Sequence, residues 1–308
     1  MANSLGPTYG VWFVSLFVET ILYGIGLLQG WIYFAGRPGD GRSIKSTVMV
    51  VLFLETVQVV FFFRSSYSRF VEMFGELQTN LIWEDSLQLL ASYLSAFTVQ
   101  IFFASRIYQL TKGRGRLSLA AIGIYTILAL ALVQISAGIA QTILSYKLRS
   151  YLKLGETKAI TTLQTAASLA CDVLITVYLC IFLESQKGEL MRTNTMVDTL
   201  IYHAINRGVL TTLSSGATMV LFLVLPDTFW FFVGLAPSSK LYMNSMLATL
   251  NARQYIRDKM QSSDKGWNSI PLSTIPTTQG PRKNPSALDF ETNSLDINAK
   301  PAEFPACA

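Results

Sequence analysis

Read for apolar runs, the chain falls into seven stretches separated by short polar connections. A helix rises ~1.5 Å per residue and a bilayer core is ~30 Å thick, so about 20 mostly apolar residues suffice to cross it. The expected spans run from about Tyr9 to Phe34, Ser46 to Tyr67, Ser86 to Leu110, Leu117 to Leu144, Ala159 to Leu183, His203 to Leu225 and Phe229 to Asn251. Between the last two, Pro226-Asp227-Thr228 reads as a tight hairpin, because a Pro-Asp step continues a helix poorly. From about Gln261 the apolar pattern gives way to Pro, Ser, Thr and Asn, the composition of a disordered segment. The expected organisation is an all-α integral membrane protein. Residues 1–253 form a seven-transmembrane-helix bundle, and 254–308 form a disordered cytosolic tail.

Composition supports that reading. The chain is 51% hydrophobic and only 14% charged, with a mean hydropathy of +0.40. So few charges could hardly cover a water-facing surface of this size. The net charge of +5 sits in short clusters between apolar runs, as membrane topology requires, and not in a stripe for nucleic acid. The first apolar run lacks a basic leader and is too long for a signal peptide, so it is expected to insert as the first span. The C-terminal Pro305-Ala306-Cys307-Ala308 is not a prenylation box.

The basic residues also suggest an orientation. The first connection carries Arg37, Arg42 and Lys45; the third carries Lys112, Arg114 and Arg116, with Arg106 just before it. Lys187 and Arg192 mark the fifth, and Arg253, Arg257 and Lys259 follow the last span. The second holds Glu72, Glu76, Glu84 and Asp85. An outer N-terminus and a cytosolic C-terminus follow, in the plasma membrane or an endomembrane. The fourth connection, with Lys147, Arg149, Lys153 and Lys158, opposes that orientation.

Four ionisable residues lie near mid-depth: Glu19, Glu55, Asp172 and Lys240. A charge at the bilayer centre costs about 2.5–3.5 kcal/mol on insertion scales, so such residues face the bundle and find partners. Lys240 is about eleven residues, roughly 16 Å, from either end of its span, too deep to reach water easily. One cation and three acids are therefore expected to form a polar cluster, either an ion pair that fixes helix order or a ligand- or proton-handling core. Pro237 is expected to kink the last span, with Asn244 and Ser245 one turn beyond Lys240. A lysine in the seventh span brings a retinal Schiff base to mind, yet no Asp or Glu lies between Ser86 and Leu110 as counter-ion.

Other features read as structure. Gly24-Ile25-Gly26 with Gly30 follows no strand and is no nucleotide motif; Gly26-x-x-x-Gly30 and the run Ser214-Ser215-Gly216-Ala217 suggest close helix approach. Arg106 reads as an anchor at the cytosolic face, and His203 as an interfacial residue. The cysteines Cys171, Cys180 and Cys307 form no paired spacing, and with one histidine no metal site or cofactor is expected.

The segment Cys171-Asp172-Val173-Leu174-Ile175, the run Asp198-Thr199-Leu200-Ile201 with Asn206-Arg207-Gly208, and above all Ser239-Lys240-Leu241-Tyr242-Met243-Asn244-Ser245-Met246-Leu247-Ala248-Thr249-Leu250-Asn251-Ala252-Arg253 carry a resemblance. Leu22-Tyr23-Gly24 and Phe103-Ala104-Ser105-Arg106-Ile107-Tyr108 agree with it. Over about residues 5–253 the chain resembles a large fungal family of seven-span proteins, abundant in basidiomycetes, that is a domain of unknown function. The resemblance implies seven spans and a fungal source, and it implies no activity. Asp172, Lys240 and Asn244 fall at positions that recur in that family.

The expected function is accordingly a receptor-like sensor rather than an enzyme. Its polar core (Glu19, Glu55, Asp172, Lys240 and Asn244) would hold an unknown ligand, and its third connection and tail would meet a cytosolic partner. A proton- or solute-coupled transporter and a structural membrane protein are the alternatives. The remaining expected partner is the lipid bilayer; nucleic acid is not.

Overall fold

The computed structural model describes residues 9–36, 39–74, 80–111, 117–187, 191–225 and 228–267. Among these the chain is helical, with one isolated bridge between Asn80 and Ser150 and no strand. The helices are α1 (Val11–Ala35), α2 (Arg42–Tyr67), α3 (Trp83–Thr111), α4 (Leu117–Leu148), α5 (Lys158–Glu184), α6 (Met191–Val224) and α7 (Phe232–Trp267). A π-helical turn, Ser68–Glu72, extends α2, and a 3₁₀ turn, Tyr151–Thr157, leads into α5. By contact the chain divides into Met1–Ser263, which holds the bundle, and Asp264–Ala308. The hairpin residues Pro226 and Asp227, the third connection and the tail beyond Trp267 lie outside the described residues.

Six helical segments are long and apolar enough to cross a membrane: Val11–Ala35, Arg42–Glu72, Trp83–Thr111, Ala121–Leu148, Gly155–Glu184 and Val197–Val224. The helix α7 is not among them, because Pro237, Ser238, Ser239, Lys240, Asn244 and Ser245 dilute its apolar content.

The bundle is apolar outside, and its interior carries polar side chains among the apolar ones. On α1, Phe13, Phe17, Leu28 and Trp31 are exposed, whereas Trp12, Ser15, Glu19, Gly26, Gly30 and Tyr33 are buried. The buried set recurs every three or four residues, the spacing of one helix face. On α2, Val48, Val51, Glu55, Gln58, Phe62 and Ser65 trace a similar stripe. Lipid satisfies no polar group, so these side chains turn toward one another.

Each helix from α1 to α5 packs against the next, and α3 also packs against α5. The helix α7 closes the bundle on α1. The Asn244 amide donates to the Leu22 carbonyl at 2.8 Å, and the Asn251 amide to the Gln29 carbonyl at 2.9 Å. Both steps advance by seven residues, so α1 and α7 run parallel, as an odd number of alternating helices requires. The Gly26-x-x-x-Gly30 expectation holds in part: Gly26 faces Met243 of α7, while Gly30 faces Leu52 of α2.

Between α6 and α7 the close approach is made by Gly234, and Gly216 takes no part. A Cβ on Gly234 would lie 2.6 Å from the Ser214 carbonyl oxygen and 2.8 Å from the Thr218 nitrogen. The Ser214 hydroxyl crosses this contact to the Gly234 carbonyl at 2.7 Å, three residues before Pro237 interrupts the helical hydrogen bonds. A Cβ on Gly216 would meet only Leu169 Cδ1, at 4.0 Å. Gly234→Ala is therefore expected to destabilise the fold by about 1–3 kcal/mol. Gly216→Ala should be neutral or stabilising by about 0.5–1 kcal/mol. Unfolding midpoints of both variants in one detergent check the contrast; equal effects would place the close contact elsewhere.

Candidate functional site

Lys240 lies fully buried on α7, between α1 and α2. Its Nζ is 2.9 Å from Glu19 Oε1 and 2.9 Å from Glu55 Oε2. These are ion pairs rather than well-directed hydrogen bonds. Glu55 is otherwise satisfied: Ser95 of α3 donates to Oε1, and Ser239 of α7 donates to Oε2 at 3.1 Å. Glu19 has no comparable hydroxyl partner. Three of the residues singled out from the sequence thus converge, and Asn244 sits one turn away with its amide spent on the carbonyls of Leu22 and Lys240.

Asp172 stands apart from that cluster. Its partner is Arg207 of α6, with Nη2 3.3 Å from Oδ1. The Tyr242 hydroxyl donates to Asp172 Oδ2, and Ser168 lies 3.1 Å from the same hydroxyl. The Arg207 guanidinium rests over the Phe103 ring, 4.0 Å from its centre. A third buried pair joins Arg69 to Asp85 at 2.6 Å, with the guanidinium 4.6 Å from the Trp12 ring centre and 5.3 Å from that of Tyr151.

The Lys240 and Arg69 clusters border a cavity of about 70 Å³, the first through Glu19 and the second through Asp85 and Tyr151. All seven helices contribute to its wall, with Glu19, Gln58, Gln88, Gln141, Gln164, Thr218 and Leu235 among the lining residues. It lies toward the end of the bundle where α1 begins, under Phe62, Tyr151, Phe231 and Phe232, which belong to one aromatic cluster. Burial first, and the Asp85 carboxylate second, push the Tyr151 phenol well above its ordinary range, so it stays protonated. A smaller cavity of about 30 Å³ shares Ser92, Gln164 and Thr218 with the first and is also lined by Tyr242, which binds Asp172. Toward the other end the interior is apolar, packed with Val51, Phe103, Ile107, Met246, Leu247 and Leu250.

Among the described residues no group of His, Cys, Asp or Glu could hold a metal ion. His203 is half-buried, as is Arg106, whose guanidinium lies 5.1 Å from the centre of the Phe102 ring. Sequence reasoning missed the pairing roles of Arg69, Asp85 and Arg207.

Residues 168–255 match DUF6534, a family of unknown function. The matched segment includes Asp172, Arg207, Lys240, Tyr242 and Asn244. Neither a curated protein nor a solved structure matches the chain.

Replacing Lys240 by Met leaves two buried carboxylates facing each other, and should cost about 3–5 kcal/mol of stability. Adding Glu19→Gln and Glu55→Gln to that variant should restore most of the loss. Unfolding midpoints in one detergent at neutral pH test this. A Lys240→Met protein as stable as the wild type would show that the ion pairs do not hold α7 in place.

Proposed function

We propose that the chain is a seven-span, receptor-like membrane sensor whose ligand enters the polar cavity from the N-terminal side. The observation that carries this reading is the geometry around Lys240. One ammonium ties α7 to α1 and α2 beside a cavity that all seven helices wall. Anything that binds Glu19 competes with this tie and shifts α7 relative to its neighbours. Packed helices have discrete arrangements, so such a shift is transmitted and not absorbed.

α7 counts as the seventh span because it runs alongside α1, itself an apolar span, through two successive side-chain-to-backbone contacts. The basic first, third and fifth connections then face the cytosol, and a cytosolic partner meets the third connection and the tail. The membrane is the plasma membrane or an endomembrane, the source fungal as the resemblance implies, and no catalytic role is assigned.

One observation favours a proton- or solute-coupled transporter as second reading: the smaller cavity continues the polar lining toward Tyr242 and Asp172. The apolar packing beyond it favours the sensor: Val51, Phe103, Ile107, Met246 and Leu247 fill the interior there.

Two measurements on the same preparation separate the readings. Proteoliposomes carrying a pH-sensitive dye should show no proton flux above that of empty liposomes. Lys240→Met should alter deuterium uptake at the far ends of α3 and α7, around Ile107 and Leu250. A flux removed by Glu19→Gln, or an exchange change confined to the surroundings of residue 240, would overturn the sensor reading.

A further inference from the structure

The Lys240 cluster does not balance. Glu19 and Glu55 bring two carboxylates to one ammonium, and all three side chains are at most 1% exposed. Glu55 has its hydroxyl donors, whereas Glu19 has none and meets Lys240 and the side chain of Gln58. Gln58, 4% exposed and one turn from Glu55, has an unpartnered Oε1. Glu19 and Gln58 line the same 70 Å³ cavity. A buried acceptor without a donor is costly, and so is a buried carboxylate that shares its one cation with another.

The rest of the wall says what kind of donor fits. Among the described residues the lining includes two carboxylates, Glu19 and Asp85, and no Lys, Arg or His. Asp85 is already neutralised by Arg69. Phe62, Phe231 and Phe232 also line the cavity, and aromatic rings receive a cation better than aliphatic walls do. An organic ammonium uses both kinds of wall, since its N–H groups reach acceptors and its carbons lie on rings. The volume admits roughly five water-sized groups, which sets an upper bound near a short alkylamine.

We infer that this cavity binds a small organic ammonium, with Glu19 as its counter-charge, Gln58 as its neutral acceptor and the phenylalanine rings as its apolar wall. The inference rests on reading the cavity as the ligand site of a sensor. Binding moves the surplus charge of Glu19 from Lys240 onto the ligand. Lys240 keeps Glu55, and α1 is freed from α7 at this depth.

Calorimetric titration of the full chain in nanodiscs tests the site with propylammonium chloride as probe, against 1-propanol, sodium propionate and sodium chloride at matched ionic strength. Propylammonium should bind, and the neutral, anionic and sodium controls should not. Glu19→Gln should weaken binding by about 10- to 100-fold. Gln58→Leu, which keeps the ion pairs, should weaken it several-fold and decides the matter if Glu19→Gln does not fold. Equal binding of 1-propanol, a comparable signal from sodium chloride alone, unchanged affinity in folded Glu19→Gln and Gln58→Leu, or no binding of any probe would overturn the ammonium site. If propylammonium binds as expected without changing deuterium uptake around Ile107 and Leu250, the ammonium site stands and the sensor reading falls.

Discussion

The whole bundle answers to one constraint: lipid cannot solvate a charge, so each charge taken into the membrane must meet its opposite on a neighbouring helix. Among the described residues three such meetings occur, each joining different parts of the chain. Arg69 and Asp85 fasten the end of α2 to the start of α3. Asp172 and Arg207 fasten α5 to α6. Lys240 reaches Glu19 and Glu55, and this contact brings the last helix back to the first two. The helix α4 has no charged residue before Lys147 and joins the polar interior through Gln134, Gln141 and Ser145. Breaking one partner of such a pair strands the other in a medium that cannot accept it, so the pairs specify helix order more than they add net stability.

Much of this was legible in the sequence, for physical reasons. Apolar runs located the helices, because length and hydropathy are the bilayer's own requirements. Depth within those runs singled out Glu19, Glu55, Asp172 and Lys240, all of which are buried. What failed was resolution at the ends. With the sixth span taken to begin at His203, Arg207 lay close to its end and was not counted among the mid-depth charges, yet α6 begins at Met191 and buries that guanidinium against Phe103. Likewise a second span ending at Tyr67 and a third beginning at Ser86 left Arg69 and Asp85 in a connection. The π-helical turn carries α2 on to Glu72, and α3 starts at Trp83. Errors of a few residues in boundaries concealed two of the three ion pairs.

The choice of partners was not legible at all. Three acids at similar depth were equivalent candidates for Lys240, and only the packing order of helices separates them. Asp172 belongs to α5, which packs between α4 and α6, and there Arg207 takes it. Glu19 and Glu55 belong to the pair of helices on which α7 closes. The seven-residue step between Asn244 and Asn251 could be seen in the sequence as two polar residues on one face. Its meaning depends on the matching step from Leu22 to Gln29, which are carbonyls and leave no mark in side-chain chemistry.

The count of charges bears on function. The three clusters hold four carboxylates and three cations. A bundle selected only for helix order has no use for the fourth carboxylate, since Lys240 and Glu55 with their hydroxyl donors already form a satisfied pair. Glu19 has to share Lys240 with Glu55, and it stands in the cavity wall. The proline that interrupts α7 and the close contact at Gly234 lie within two turns of Lys240, so the segment that holds the ammonium is also one where helical hydrogen bonding is broken. An unbalanced charge beside a locally weakened helix is a poor way to build a strut. It is a suitable way to couple the arrival of a positive charge to the position of α7.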